Sequence, residues 1–260
     1  MKQFGSRGII PSSLDSFSHK KVVVDTSIYL YRFKSSGNFM EHMDSLIRMF
    51  LQYDITPIFV FDGPPRPNKK ELLKERRHMK ETAWNLYHSS TELNEYQTTR
   101  LRNAFTKVSK KDVDSIKELM QKRGVQYIDA PHESDEVCAF LSLNGTVDAC
   151  VSDDMDMFLY GCSTVLRDLN LDTHTMMRYD TEKILRQLNL SHHEFKQICV
   201  LSGSDYYKSS FTLYTVMNMF RTYQHNSPTL DFYGWVSLRH KVDLDALQDA
   251  YDAFTIDHVP

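Results

Sequence analysis

The chain is poor in cysteine, and nothing surrounds its cysteines that would hold a metal through sulfur. Cys138, Cys150, Cys162 and Cys199 show no Cys-x-x-Cys spacing and no accompanying histidine pattern. This excludes the usual zinc sites and leaves reduced, mostly buried thiols. No apolar run approaches the ~18 residues of a membrane span. The opening MKQFGSRGIIPSSLDSF also lacks the apolar core of a signal peptide. The expectation is a soluble, intracellular protein with no membrane partner. An excess of positive charge is missing too: the formal net charge is −3 and the pI about 6.4. Composition therefore does not advertise a nucleic-acid partner, although acids gathered in one site can mask basic residues gathered elsewhere. There is no internal repeat and no low-complexity tract. The 260 residues, 41% of them hydrophobic, suffice for one α/β domain, alone or with a small appendage.

Two short β-rich runs, KVVVD ending at Asp25 and ITPIFVFD ending at Asp62, flank a stretch from Phe39 to Tyr53. That stretch places Met40, Met43, Leu46, Ile47, Phe50 and Leu51 at helical spacing. Sequence rich in Lys, Glu and Arg with few core residues then runs to about residue 111. Regular alternation resumes with a helix over 112–123, a strand over 125–129, a helix over 134–143, a strand over 148–152 and a short strand over 164–168. This pattern predicts an α/β fold with a mostly parallel central sheet and helices on both faces. The polar helical excursion at 66–111 cannot be core. After residue 180, helices over 181–188, 191–201, 212–223 and 243–254 predict a helical C-terminal portion.

In open α/β sheets ligands bind beyond the carboxyl ends of the strands. Asp25 and Asp62 end strands there. The segment APHESDE delivers Glu133 and Asp135, SDDMD delivers Asp154 and Asp156, and LSGSDYY offers Asp205. Asp154 and Asp156 share a direction if the chain stays extended at the loop-to-helix entry. Seven carboxylates at one edge repel one another unless cations neutralise them. All-oxygen donors select Mg²⁺ or Mn²⁺ rather than zinc. Two such ions roughly 3.5–4 Å apart can activate water and stabilise the leaving oxygen of a phosphodiester. A lone Asp after a strand is more often a helix N-cap, and Asp129, Asp148 and Asp153 are left under that reading. Phosphatases of the haloacid-dehalogenase type also place an Asp after the first strand. They need a second one two residues on, where this chain has Ser27.

The segments VVVDTSIYLYRF, IFVFDGPP, YIDAPHESDEVCAF, CVSDDMDMFLYG and LSGSDYY span residues 22 to 207, about 70% of the chain. In order and spacing they resemble the flap endonuclease/XPG family of structure-specific 5′ nucleases, which have a PIN-like core. The resemblance implies Asp25, Asp62, Glu133, Asp135, Asp154, Asp156 and Asp205 as ligands of two Mg²⁺ ions, with Mn²⁺ able to substitute. Catalysis is expected to depend most on Asp62 and Asp154 among them. Tyr31 matches the aromatic on which the family stacks a base beside the cut, a sequence-tolerant contact. The excursion falls where the family builds a helical arch. There Arg66, Lys69, Lys70, Lys74, Arg76, Arg77 and Lys80 give seven cations in fifteen residues against Glu71 and Glu75. Arg100, Arg102, Lys107, Lys110 and Lys111 follow. A charge run is usually a solvated helix face, but beside a carboxylate-lined crevice it reads as a phosphate funnel. Lys69 and Arg76 match the pair that contacts the scissile phosphate, with Lys70 or Arg77 the alternative register. Arg66, Lys107, Lys110 and Lys111 are expected to bind the substrate strand.

The resemblance divides the chain into a nuclease core over 1–205, including the arch at about 66–111, and a helical C-terminal region over 206–260. That region carries a degenerate helix–two-turn–helix. Relatives hold duplex DNA and a potassium ion there with glycines, whereas KSSFTLYTVMNMFRTY has none. Relatives also begin Met-Gly-Ile; here Gly5 and Gly8 are the glycines available to replace that one. No sliding-clamp-binding motif is visible near FTIDHVP. The expected protein is a compact monomer acting on branched or 5′-ended DNA, in the nucleus or another site of replication and repair, viral or organellar settings included. Two alternatives stay open: an RNA-directed endoribonuclease on the same scaffold, and a catalytically silent nucleic-acid-binding scaffold.

Overall fold

The runs that end at Asp25 and Asp62 are buried from Val22 to Val24 and from Pro57 to Phe61 because they are covered on both sides. The computed structural model describes residues 6–65, 70–90, 92–226 and 229–256, with side chains except at 6 and 70–73. From the N-terminal end the elements are β1 (Ile9–Ser13), β2 (Lys21–Asp25), α1 (Thr26–Ser36), α2 (Phe39–Gln52), β3 (Thr56–Phe61), α3 (Lys70–Ser89) and α4 (Glu95–Phe105). Next come α5 (Lys110–Arg123), β4 (Gln126–Asp129), α6 (Ser134–Leu143), β5 (Ala149–Val151), α7 (Asp156–Tyr160), β6 (Thr164–Asn170) and β7 (Thr175–Asp180). The chain closes with α8 (Thr181–Leu188), α9 (His192–Ser202), α10 (Leu213–Asn226), α11 (Phe232–Ser237) and α12 (Leu244–Asp252).

The seven-stranded sheet has the order β1-β7-β6-β5-β2-β3-β4. The five strands from β6 to β4 run parallel, while β7 and β1 add an antiparallel edge. Side chains alternate across a strand, so successive residues enter different cores. Val23, Val60 and Cys150 meet Val137 of α6, Ile198 and Leu201 of α9, Phe220 of α10 and Trp235 of α11. Val22, Val24, Phe59 and Phe61 meet Tyr29 of α1, Leu46 and Phe50 of α2, and Ile116 of α5. The C-terminal helices thus share one core with a face of the sheet.

Several elements differ from the sequence expectation, the short helices α7 and α11 among them. The segment after Asp25 is a helix of eleven residues, α1, with Asp25 as its N-cap. Helix α5 starts at Lys110 rather than 112, because Ser109 and Asp112 form a capping box ahead of it. The β1–β7 edge was not anticipated; β1 is short and carries Pro11, a residue that an edge position accommodates. Between β3 and α5, α3 and α4 pack as a helical hairpin in which α4 buries no residue. Cys138, Cys150, Cys162 and Cys199 are all free thiols. Among the described residues no helix is long and apolar enough to cross a membrane.

Candidate functional site

The first of the parallel strands along the chain, β2, lies inside the sheet, with β5 on one side and β3 on the other. A chain that leaves its central strand in opposite directions opens a crevice at the carboxyl ends there. A cleft of about 1130 Å³ occupies that place, larger than the ~300–1,000 Å³ usual for a small-molecule site. Its floor carries Asp25, Asp62, Glu133, Asp135, Asp154 and Asp205.

Asp25 is only 4% exposed. One carboxylate oxygen accepts from the Ser27 amide at 3.3 Å and the Ser134 hydroxyl at 3.0 Å; the other accepts from Ser152 Oγ at 3.1 Å. Asp62 accepts from the Ser134 amide at 2.8 Å, at the positive end of α6, and from Ser27 Oγ at 2.5 Å. Ser152 also receives the Asp154 amide at 3.1 Å. Tyr206 donates its hydroxyl to Glu133 at 3.1 Å. Burial, and then the Asp62 charge, push the Asp25 carboxyl up to about 7 against the lowering pull of Ser134 and Ser152. Asp135 is raised well above 3.8 by burial and then by Asp25, Asp154, Asp62 and Asp156. Burial first, and then the negative charges that face them, make these two carboxyls bind their protons more tightly than exposed acids do.

Two expectations about the acids change. Met155, ahead of Asp156, is helical (φ −77°, ψ −18°), so the chain is not extended between Asp154 and Asp156, and Asp156 is not among the residues that line the cleft. The Asp156 amide instead donates to Asp154 Oδ1 at 2.9 Å, and its charge reaches Asp135. Among the described residues no three acids, histidines or cysteines stand close enough to enclose an ion as they are placed. The three acids set aside as N-caps have other partners. Asp148 accepts from the Lys21 amide at 2.9 Å, Asp129 pairs with Lys117 at 2.5 Å, and Asp153 binds Arg32 and the Asp168 amide.

Helix α3 forms the cationic wall. Arg76, Arg77 and Lys80 line the cleft from it, and Lys107 from the segment after α4. Arg76 pairs with Asp205 at 2.9 Å and, on the same loop, Lys208 pairs with Glu75 at 2.6 Å. Tyr31 of α1 is 43% exposed in the cleft with Lys80 Nζ 4.9 Å over its ring. Burial and the Asp62 charge raise its hydroxyl pKa, and burial with Lys107 and Arg76 lowers that of Lys80. Lys110 and Lys111 open α5 and do not line the cleft. Arg66, Lys69 and Gly5 lie outside the described residues, as does the side chain of Lys70. Gly8 is not at the cleft: a Cβ there would meet Ile184 and Asp180, beside α8.

Sequence reasoning missed Ser27, Ser134 and Ser152, which tie three strand ends together, and Gly63. The Gly63 amide donates to the His132 carbonyl at 2.6 Å, and a Cβ on it would sit 2.1 Å from the Ala130 carbonyl oxygen. The DGPP turn must therefore pass flush against the β4–α6 turn. Gly63→Ala is expected to push the two turns apart, cost about 1–3 kcal/mol as backbone overpacking, and displace Asp62 from Ser134. Chemical denaturation measures the first effect; the Ser134 amide shift in NMR reports the second. An alanine variant as stable as the parent would show that the turns are free to part.

The XPG N-terminal domain model matches residues 1–83, and the XPG I-region model matches residues 124–205. Flap endonuclease 1 of Encephalitozoon cuniculi is 31% identical over 225 residues, covering 79% of this chain and 65% of the relative. Flap endonuclease 1 of Xenopus tropicalis is 29% identical over 212 residues, covering 74% and 56%. The chain thus spans less than two thirds of the length of either relative. Among solved structures, the catalytic core of Rad2 in complex with DNA substrate superposes with a TM-score of 0.74 at 21% identity, covering 100% of this chain and 86% of that one. Flap endonuclease-1 from Methanococcus jannaschii superposes with a TM-score of 0.66 at 24% identity, covering 98% and 84%. At these identities the structures speak for the fold.

Proposed function

The chain belongs to the flap endonuclease/XPG family, and from that premise we propose that it is a metal-dependent, structure-specific 5′ nuclease hydrolysing phosphodiester bonds in branched or 5′-ended DNA. The observation that carries this reading is the pairing of a carboxylate floor with a cationic helix across one cleft. Acids gather a divalent cation, cations gather a phosphodiester, and the two are opposed at the carboxyl ends of the strands.

In this reading Asp25, Asp62, Glu133, Asp135, Asp154 and Asp205 hold Mg²⁺ or Mn²⁺, with Asp156 acting from behind through its charge. The residues fit such ions: the donors are all oxygen, and the raised Asp25 and Asp135 carboxyls mark a surplus of negative charge that a cation relieves. Two bound Mg²⁺ ions would supply charge neutralisation at the phosphate and activation of water. The chain's own side chains do the rest. Arg76 and Lys69 contact the scissile phosphate, Arg77, Lys80 and Lys107 follow the strand, and Tyr31 stacks on a base beside the cut. The division into a nuclease core over 1–205 and a helical region over 206–260 belongs to the same proposal, as do a monomeric state and action where DNA is replicated or repaired.

The test compares a 5′ flap, a matched single-stranded DNA and a single-stranded RNA, each with Mg²⁺ and with chelator. Mg²⁺-dependent cutting of both DNAs is expected. Without glycines between Tyr206 and Tyr223, close backbone approach to a duplex is limited. The preference for the flap should therefore stay below roughly 10³-fold in kcat/KM, about 4 kcal/mol, with little response to K⁺. Faster cutting of RNA than of either DNA would overturn the substrate class, and cutting in chelator would overturn the chemistry.

A further inference from the structure

Helix α3 has two working faces. Met79, Ala83 and Leu86 line a groove shared with Leu93 and Leu101 at the α4 side of the hairpin. Arg77, Lys80 and Trp84, at i, i+3 and i+7, line the cleft. A tryptophan that only packed the hairpin would sit on the first face. Trp84 sits on the second, half exposed, one turn or about 6 Å beyond the lysine that covers Tyr31. Its indole is braced by the His88 ring at 4.0 Å between centroids, tilted by 31°. Behind that pair, Tyr87 and Phe105 meet edge to face at 5.2 Å, and Phe105 also reaches the cleft. Asn85, beside Trp84, lines the cleft as well and brings an amide that can both donate and accept.

We propose that Trp84 is a stacking platform for an unpaired nucleobase of the substrate strand, separate from Tyr31 and farther along the hairpin. The inference rests on the nuclease reading above. A half-exposed aromatic ring stacked on a neighbouring ring and set in a cleft with Arg77, Lys80 and Lys107, above the acidic floor, is the arrangement that binds single-stranded nucleic acid without regard to sequence. Lys80 and Lys107 take the phosphates on either side, and the indole takes the base between them. Tyr31 and Trp84 then hold the unpaired strand at two points, so an arm long enough to reach both binds more tightly than a shorter one.

The chain offers its own reporter. It has two tryptophans, and the other, Trp235, is 5% exposed beneath Arg239 in the core. Tryptophan fluorescence of the whole protein is measured against a duplex with a 5′ thymidine arm, the same duplex with an abasic arm, and the blunt duplex, in Ca²⁺ to suppress cutting. The thymidine arm should quench the parent, and Trp84→Phe should lose that quench. Trp84→Ala should weaken binding of the thymidine arm by about 10-fold or more, the scale of one base–aromatic stack. Trp84→Phe should stay within about threefold, since its ring still stacks. The abasic arm should cost the parent more than Trp84→Ala costs on the thymidine arm, because it also loses the Tyr31 stack, and should cost the alanine variant only that Tyr31 share. Equal affinity of Trp84→Ala and parent for the thymidine arm, or an equal loss on all three duplexes, would overturn the platform while leaving the nuclease reading intact. If none of the three duplexes is bound at all, both fall together.

Discussion

Replacing Asp135 by asparagine is expected to raise the melting temperature of the metal-free protein and, in the same molecule, to lower Mg²⁺-dependent cleavage by roughly 10³-fold or more. Opposite signs are the mark of a carboxylate kept for its charge. Asp135 is pressed by burial and by Asp25, Asp154, Asp62 and Asp156, all of which raise its pKa. An amide of the same shape removes one negative charge from that cluster. The gain should be about 1 kcal/mol or more at pH 8, about 2–4 °C for a chain of this size. The loss of activity is larger because a missing ligand removes several kcal/mol of charge stabilisation at the phosphate. The stability gain also carries a pH signature. A carboxyl that binds its proton more tightly in the folded than in the unfolded chain contributes stability that is complete below about 3.8 and is lost as pH rises through its folded value. The metal-free parent should therefore weaken as pH climbs from about 4 through the value of about 7 at which Asp25 titrates. The asparagine variant escapes the share due to Asp135, so the gap between them should widen with pH and close when Mg²⁺ is added. Asp129→Asn is the control: that acid is exposed and paired with Lys117, and its loss should stabilise nothing. An Asp135→Asn protein that melts lower than the parent at pH 8, or that cuts at the parental rate, would remove Asp135 from the ion-binding set.

The strand-end acids were legible in the sequence because the strands announce themselves. The unbroken apolar runs VVV before Asp25 and PIFVF before Asp62 mark strands covered on both faces, so Asp25 and Asp62 were expected to emerge together. The helical hairpin was legible for the opposite reason, a long charged stretch with too few apolar residues to be core. What escaped is what depends on pairing across the chain. Ser27, Ser134 and Ser152 look like ordinary loop residues until three strand ends are brought within hydrogen-bond reach of Asp25 and Asp62. Tyr206 reads as part of a motif, yet its partner Glu133 lies 73 residues away. The extended chain expected between Asp154 and Asp156 is absent because the backbone already turns at Met155, ahead of α7. Lys110 and Lys111 were counted with the hairpin because charge has no period; the Ser109 capping box, visible in the sequence, would have assigned them to α5. The β1–β7 edge was missed because a five-residue strand holding a proline carries little signal of its own.

The cations of the cleft should separate by what they do rather than by how much they matter. Arg76→Ala is expected to lower the single-turnover rate by about 10²-fold or more, the scale of a lost donor to developing negative charge, with substrate affinity changed only a few-fold. Arg76 reaches the acids: its guanidinium lies 2.9 Å from Asp205, within the carboxylate floor. In the proposed reading, a group placed there would meet the phosphate that is being cut. Lys107 also lines the cleft, but it comes from the segment after α4, and its charge is felt at Lys80. Lys107→Ala should instead weaken binding, reduce the slope of log affinity against log salt by about one, and leave the single-turnover rate of bound substrate nearly unchanged. Arg76→Lys should recover only part of the rate, since an ammonium keeps the charge but not the planar pair of donors. Lys110→Ala, outside the cleft, supplies the baseline for removing a positive charge from the surface. Quenched-flow measurements at saturating enzyme give the rate, and titrations across a salt series give the slope. If Arg76→Ala and Lys107→Ala moved rate and affinity in the same proportions, the cationic wall would act as one diffuse field, and Arg76 would have no particular role at the phosphate.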